Sequence, residues 1–517
     1  MSSTLVRGKY VVRKITGPHS ADVISDGAVF QRDGEIIEIG PYEDLKDRYS
    51  DVEVIGSSSY LVMPGLVDGH SHKGLTPCQL GAMDNTLELR ALHQLGSRRI
   101  DPYLDQMYCA IQMIENGTTT VQALHIGMRP AGPSRLMDTA DKALKAYQEI
   151  GMRVSYAPSV GNQNMYIVGA TGDESTFAAT MPRDLGNRFT SFLSPQSAST
   201  EEWMSALEGV AAKYGNDRYP RIRITLAPSN VHRCSDDLLV SLKKMANKYQ
   251  TGIHIHLLES PHQKFYGSVA WNKTPVQHLN DLGFLGPELV CGHSVWSTDE
   301  DLDLIRETGT NICHNASSNL RLQSGIAPIR KALQKGIKIG LGIDEATLND
   351  NKDMFEEMRL ALRLQYVPGT VDISPTPYDI FQMGTENGAY CAWFGDKVGT
   401  LDPGKRADMV LLNLRNIEYP YIDPIVSLVE GLVYRGRSQD VDTVMIDGDV
   451  VMRDRKLTHV DKESLLKELN SALDRPLSTA EMETRDLVSK VEPYMRQYLK
   501  ENFAQDLVPH TIYNSRC

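Results

Sequence analysis

His70 and His72 stand two residues apart at the end of the apolar run 60–68 (YLVMPGLVD). On a strand, residues i and i+2 point to the same side, so a His-x-His pair at the strand's carboxyl end can aim two imidazoles at one ion. Spacing alone is weak evidence: 14 histidines in 517 residues supply roughly 0.4 such pairs by chance, and His254 and His256 form a second one. The company further along the chain strengthens the reading. Glu259 follows His256, His293 sits in CGHSVW, and Asp344 closes GLGID just before Glu345. A carboxylate beside neutral imidazoles suits a zinc-type ion that keeps an open position for water and lowers that water's pKa to about 7. Metal-assisted hydrolysis is the chemistry such a set could perform.

These residues need a scaffold that gathers them. From residue 60 onward, short apolar runs alternate with amphipathic stretches, the pattern of parallel strands linked by crossover helices. Eight runs are legible: the segment ending at His72, then 117–124 (GTTTVQAL), 152–160 (MRVSYAPSV), 221–228 (RIRITLAP), 252–258 (GIHIHLL), 288–296 (ELVCGHSVW), 310–316 (TNICHNA) and 338–344 (KIGLGID). Between two of them, the stretch 235–249 opens with Ser235 and two acids, a helix start. Eight strand–helix units predict an α/β fold, a (β/α)8 TIM barrel. Every candidate residue falls at or near the carboxyl end of its run, where active sites of such barrels are built. A doubly wound open sheet fits the alternation too, but it does not easily bring the first, fifth, sixth and eighth strand ends to one point. On the fifth run, His256 lies nearer the strand end than His254 and is the expected ligand, while His254 reads equally as a buried structural histidine.

The flanks read differently. Short β runs at 9–15, 27–31 and 35–39 are answered near the other end by runs at 409–412 and 444–453, where Asp447-Gly448 is a hairpin turn. They predict a small β-sandwich-like domain of residues 1–63 plus 399–455, around a barrel of residues 64–398. Residues 456–517, rich in Glu, Lys, Leu and Arg, read as a helical C-terminal extension. The net charge of −12 argues against non-specific nucleic-acid binding, which rests on Lys and Arg neutralising phosphates. No basic segment followed by an apolar stretch opens the chain, and no run approaches the ~18 apolar residues that span a bilayer, so no membrane partner is expected. Seven cysteines without metal-type spacing suit a reducing, cytoplasmic compartment.

Taken together, PGLVDGHSH (64–72), GTTT (117–120), HLLES (256–260), GHSVW (292–296), HNASSNLRLQSGIAP (314–328), GLGID (340–344) and VGTLDPGKRADMVLL (398–412) resemble the amidohydrolase superfamily. The similarity covers residues 55 to 415 and points to the branch of S-adenosylhomocysteine/methylthioadenosine deaminases, cytosine deaminases and triazine hydrolases. The resemblance implies His70, His72, His256 and Asp344 as ligands of one divalent ion, Zn2+ or else Fe2+. A single ion is implied because the fourth run ends LAPSN, without the lysine that bridges two metals in binuclear relatives. It further implies His293 as hydrogen-bond partner of the bound water or substrate, and Glu259 as the shuttle that carries the water's proton to a ring nitrogen. Asp344 would then assist the second proton transfer. The reaction implied is hydrolytic deamination, dechlorination or amine removal on an electron-poor nitrogen heterocycle, by metal-bound hydroxide.

The chain departs from that branch at two places. Glu345 follows the metal aspartate where a small residue is usual, so it either holds an amino group of the substrate or forms a supporting salt bridge. The loop 73–96 lacks the pattern of nucleoside deaminases, which favours a small heterocycle over a riboside. Gln79, His125, His232 and Arg233 are candidate lining residues, each with a structural role equally open. The expected partners are the small-molecule substrate and further copies of the chain, in a homo-oligomer of two or more. The same site could instead open a cyclic amide or urea. A non-catalytic scaffold is disfavoured, because it would have no need of all these residues.

Overall fold

A computed structural model of the chain describes residues 3–125, 132–164, 174–193, 198–215, 218–367 and 375–501. Its barrel strands are β1 (Leu66–Ser71), β2 (Thr118–His125), β3 (Arg153–Val160), β4 (Ile222–Ile224), β5 (Ile253–Leu257), β6 (Leu289–His293), β7 (Asn311–His314) and β8 (Ile339–Leu341). All are parallel to their neighbours, β1 to β4 in one sheet and β5 to β8 in another. Isolated parallel bridges join the sheets on both sides, Leu226 with Ile253 and Asn230 with His256 at one seam, Ser71 with Asp344 at the other. The result is the (β/α)8 type of barrel that the eight runs predict. Every residue of β1 and β2 is buried, as expected of parallel strands covered on both faces. The helix foreseen after Ser235 spans Asp236–Tyr249, with the Ser235 hydroxyl accepting from Leu238 N–H at 3.3 Å.

Two runs divide where the sequence reads as continuous. The stretch 60–68 breaks at Gly65, so that Glu53–Pro64 belongs to a flanking sheet and only Leu66–Ser71 to the barrel. A Cβ at Gly65 would run into the Thr119 side chain, and its N–H bonds to Asp408 O at 3.1 Å. The fourth run stops at Ile224, and the two-residue strand Ala227–Pro228 pairs separately with β3.

The flanking strands form one eight-stranded sheet drawn from both ends of the chain, with Met409–Asn413 antiparallel to Glu53–Pro64 where the two ends meet. The sheet curls until its Gly34 and Gly448 turns touch: a Cβ on Gly448 would lie 2.6 Å from Gly34 Cα. Val6, Val11, Val29, Leu411 and Met445 pack in its interior. The buried Arg153 of β3 forks onto Asp408 through two 2.8 Å bonds, tying the barrel to this sheet.

Three helices complete the frame around the site. α1 (Leu87–Leu95) follows the loop after β1, and the chain ends in α2 (Lys462–Leu473) and α3 (Thr479–Glu501). Leu487, Val488, Val491 and Met495 of α3 pack on Leu89, Leu92 and Leu95 of α1. Residues 502–517 of the extension lie outside the described residues. Among the described residues no helix is long and apolar enough to cross a membrane.

Candidate active site

The strands stop short of their apolar runs, and the backbone turns sharply where the candidate side chains begin. Leu258, His293, Ser294 and Asp344 all adopt left-handed φ values of 51°, 71°, 50° and 66°. For residues other than glycine this conformation costs on the order of 1–3 kcal/mol and clusters at functional sites. The turns bring residues from four strand ends to one place. Donor atoms of His70, His72 and Asp344 lie within 4.8 Å of one another, as do those of His70, His256 and His293, and those of Glu259, His293 and Asp344.

The hydrogen bonds around the cluster decide which atoms face inward. Carbonyl oxygens only accept, so His72 donates from Nδ1 to Leu124 O at 2.6 Å and His256 from Nδ1 to Ser229 O at 2.6 Å. Both rings therefore present bare Nε2 lone pairs. These lie 3.1 Å apart, and His70 Nε2 is 3.3 Å from that of His72. Asp344 Oδ1 is 3.2 Å from His72 Nε2 and 3.9 Å from His70 Nε2. Converging lone pairs and a carboxylate repel one another unless a cation lies among them, so the donor set fits a divalent ion, its rings held from behind by outer hydrogen bonds. Burial and the mutual repulsion of the imidazoles hold His70 and His256 well below the ordinary histidine value, in the neutral form that ligates. Burial would raise the Asp344 carboxyl, but His72, His293 and the Ser318 hydroxyl, which donates to Oδ2 at 2.5 Å, hold it down.

Two groups adjoin the cluster. His293 Nε2 is 3.8 Å from Glu259 Oε2 and 4.0 Å from Asp344 Oδ2, while its Nδ1 lies 2.9 Å from Asn319 Oδ1. Burial pushes the Glu259 carboxyl up to about 7, with His293 opposing and Asp344 adding to the shift. A carboxyl poised there exchanges protons readily near neutrality.

The other sequence candidates fall outside this cluster. His254 lies behind it, its Nε2 2.8 Å from His70 Nδ1. Gln79 is exposed and caps a turn, accepting from Thr76 N–H at 2.9 Å. His125 is buried at the end of β2, kept neutral by burial and by Lys73 and His72, which lower it to about 3; with His72 it lines a neighbouring cavity. His232 packs against Tyr266 with ring centroids 5.8 Å apart, and Arg233 closes the same short turn. Glu345 faces away from the converging lone pairs: its carboxylate meets the Arg90 guanidinium and accepts from Gln94 Nε2 at 2.6 Å, both on α1. Of the two roles expected for Glu345, this placement is that of the supporting salt bridge.

α1 is what the sequence reading missed. Its buried Glu88 accepts from Ser260, the residue after Glu259, at 2.5 Å and lies 3.4 Å from His262. One helix thus braces the segments that carry Glu259 and Asp344. Nothing in the order LELRALHQL says that its polar residues turn back toward the barrel mouth. Ser318 and Asn319 were legible as polar positions in HNASSN after the seventh run, though not their partners.

A barrel of this type, with imidazoles and a carboxylate converging at the carboxyl ends of its strands, defines a hydrolase of the metal-assisted class. The chain belongs to the amidohydrolase family, whose model matches residues 61–451, and it is a hydrolase of carbon–nitrogen bonds. It is 29% identical over 483 residues to the 5'-deoxyadenosine deaminase of Methanosarcina mazei, covering 92% of this chain and 98% of that one. It is 31% identical over 462 residues to the 5'-deoxyadenosine deaminase of Methanothermobacter thermautotrophicus, covering 88% and 96%. Its fold is shared with the atrazine chlorohydrolase of Arthrobacter aurescens solved with zinc, at a TM-score of 0.77, 20% identity, and coverage of 91% and 100%.

Proposed function

We propose that the protein hydrolyses an amino, or comparable, substituent from an electron-poor nitrogen heterocycle, with His70, His72, His256 and Asp344 holding one divalent ion, zinc or iron(II). The observation that carries this reading is the convergence of bare Nε2 lone pairs beside a carboxyl poised near neutrality. An ion held there supplies Lewis-acid charge and makes water acidic enough to act as a nucleophile near pH 7. Glu259 accepts the proton of the attacking water and returns it to a ring nitrogen. His293, fixed by Asn319, faces both Glu259 and Asp344 and hydrogen-bonds the attacking water. A carbon–oxygen bond forms, the exocyclic carbon–nitrogen bond breaks, and ammonia leaves with the proton relayed by Glu259 and Asp344. The deaminase activity named for the relatives supports the reading. Six described cysteines are unpaired and five of them buried, which supports a reducing, cytoplasmic setting. Exposed Tyr419, Tyr421 and Ile425 are the kind of surface a homo-oligomer would cover.

The test is a panel of aminated and halogenated pyrimidines, purines, pterins and triazines given to zinc-loaded protein. Release of ammonia, amine or chloride with the ring intact is the expected outcome. An opened ring would make the enzyme a cyclic amide or urea hydrolase, and no turnover of any heterocycle would sink the proposal.

A further inference from the structure

Beside the donor cluster lies a cavity of about 250 Å³, with His72 and His125 at its wall. Apart from the buried Asp105, the charged residues around it are cationic. Arg98 and Arg99, from the segment after α1, and Arg135, from the first turn of the helix Pro133–Ile150, all line it. Among the described residues no carboxylate pairs with any of these three guanidinium groups. Arg98 donates from Nη1 to the Arg475 carbonyl at 2.9 Å. The acid on the wall, Asp105, is 4% exposed and already occupied, accepting from Leu75 N–H at 2.9 Å and Gln106 Nε2 at 3.1 Å.

In a chain with 66 acidic and 54 basic residues, unpaired arginines gathered at one cavity run against the overall balance. Nor is their segment loose. The Arg98 N–H bonds to Leu80 O at 3.2 Å and the Arg99 N–H to Glu481 at 3.2 Å, while Glu481 is itself gripped by Arg475 at 2.6 Å. The C-terminal extension therefore holds this wall in place. Guanidinium groups with free donors match planar or tetrahedral oxyanions, and a concave, mainly cationic wall concentrates such ions.

We propose that this cavity receives an anionic group of the substrate, a carboxylate or a phosphate, on Arg98, Arg99 and Arg135, while the heterocycle reaches past His72 to the donor cluster. The inference rests on the hydrolase reading of that cluster for the word substrate, and it narrows the class to acidic heterocycles. Arg98 is the anchored member of the three, and the exposed Arg99 and Arg135 close on the anion from the solvent side.

Calorimetric binding to the zinc-loaded protein tests this without any turnover. The probes are 4-aminopyrimidine-5-carboxylate, its neutral carboxamide, and phenyl phosphate. Arg99→Gln/Arg135→Gln removes two exposed charges and leaves the core intact. The wild-type protein should bind the carboxylate about tenfold or more tightly than the carboxamide, and the double variant should bind the two alike. Displacement by phenyl phosphate would show that the wall accepts phosphate as well; failure of phenyl phosphate to compete would restrict it to carboxylates. Equal binding of the first two probes by the wild-type protein would overturn the proposal, and so would absence of binding by both anions. A preference that survives the double substitution would place the carboxylate on the metal instead, and would overturn it too. An arginine-dependent preference in a protein that hydrolyses no heterocycle would refute the proposed reaction and leave the anion site standing.

Discussion

Of the three imidazoles whose Nε2 atoms converge, His72 and His256 are oriented by main-chain carbonyls, and only His70 is oriented by a side chain. That makes His254 the one outer support of these three imidazoles that mutation can remove cleanly. For His70 to offer Nε2 to an ion, its Nδ1 must carry the proton and donate to His254 Nε2, 2.8 Å away. His254→Leu keeps the bulk and deletes the acceptor, leaving a buried N–H without a partner. An outer support of this kind is worth about 10–100-fold in metal affinity, or ~1.4–2.8 kcal/mol. His70→Ala deletes a ligand itself and should abolish tight binding. Competition with a chromophoric chelator gives the zinc affinity of each form, and melting of the metal-free proteins separates folding from binding. A His254→Leu protein with wild-type zinc affinity would refute the argument that His254 orients His70. One as poor as His70→Ala would make His254 a ligand.

Glu259→Gln should keep the metal and lose about 10²–10⁴-fold in turnover. Because burial pushes Glu259 up to about 7, its proton-accepting form fills as pH rises through that value. The wild-type rate should climb across that range and any residual rate of the variant should not; a shared limb in the pH profile would point to another base. Glu345→Gln leaves the buried Arg90 without its carboxylate, so melting temperature or metal affinity should fall, with amino and neutral substrates affected alike. A loss confined to the amino substrate would restore the recognition role. Val491→Asp, at a fully buried contact between α3 and α1, should lower activity with metal content retained; unchanged activity would disprove the brace. Chelation should speed amide exchange at His72, Ile343 and Asp344 more than within the β3 ladder, and a uniform change would count against a seam held by the ion.

The barrel was legible because its signal is repetitive. Eight apolar runs can hardly be mistaken for anything but strands, and the candidate ligands fall at their ends. What could not be read is whatever depends on a single backbone turn. Nothing in CGHSVW says that the strand stops at His293 and reverses into a left-handed conformation, rather than running on to Trp296. The unbroken apolar stretch 60–68 hides a boundary that only Gly65, pressed against Thr119, reveals. Choosing His256 over His254 needed only its place nearer the strand end, whereas the orienting role of His254 needed the tilt of two rings on different strands. Glu88, Arg90 and Gln94 were invisible for a different reason. They sit on a helix whose approach to the site is set by its packing against α3, nearly four hundred residues later in the chain.

The seam between β1 and β8 shows why the fold and the candidate metal site are hard to separate. These strands are joined by an isolated bridge at Ser71 and Asp344 rather than by a regular ladder. Buried charge holds the rest. Asp68 accepts from His70 N–H at 3.2 Å and Ile343 N–H at 3.0 Å, and the buried Lys352 donates to Ser71 Oγ at 3.3 Å and to Asp344 O at 3.2 Å. Burial pushes the Asp68 carboxyl up to about 6, with Lys352 and the two N–H groups opposing. His70 and His72 lie on one side of the seam and Asp344 on the other. An ion held as proposed would take ligands from both sides and draw together two strands that an isolated bridge, not a ladder, joins.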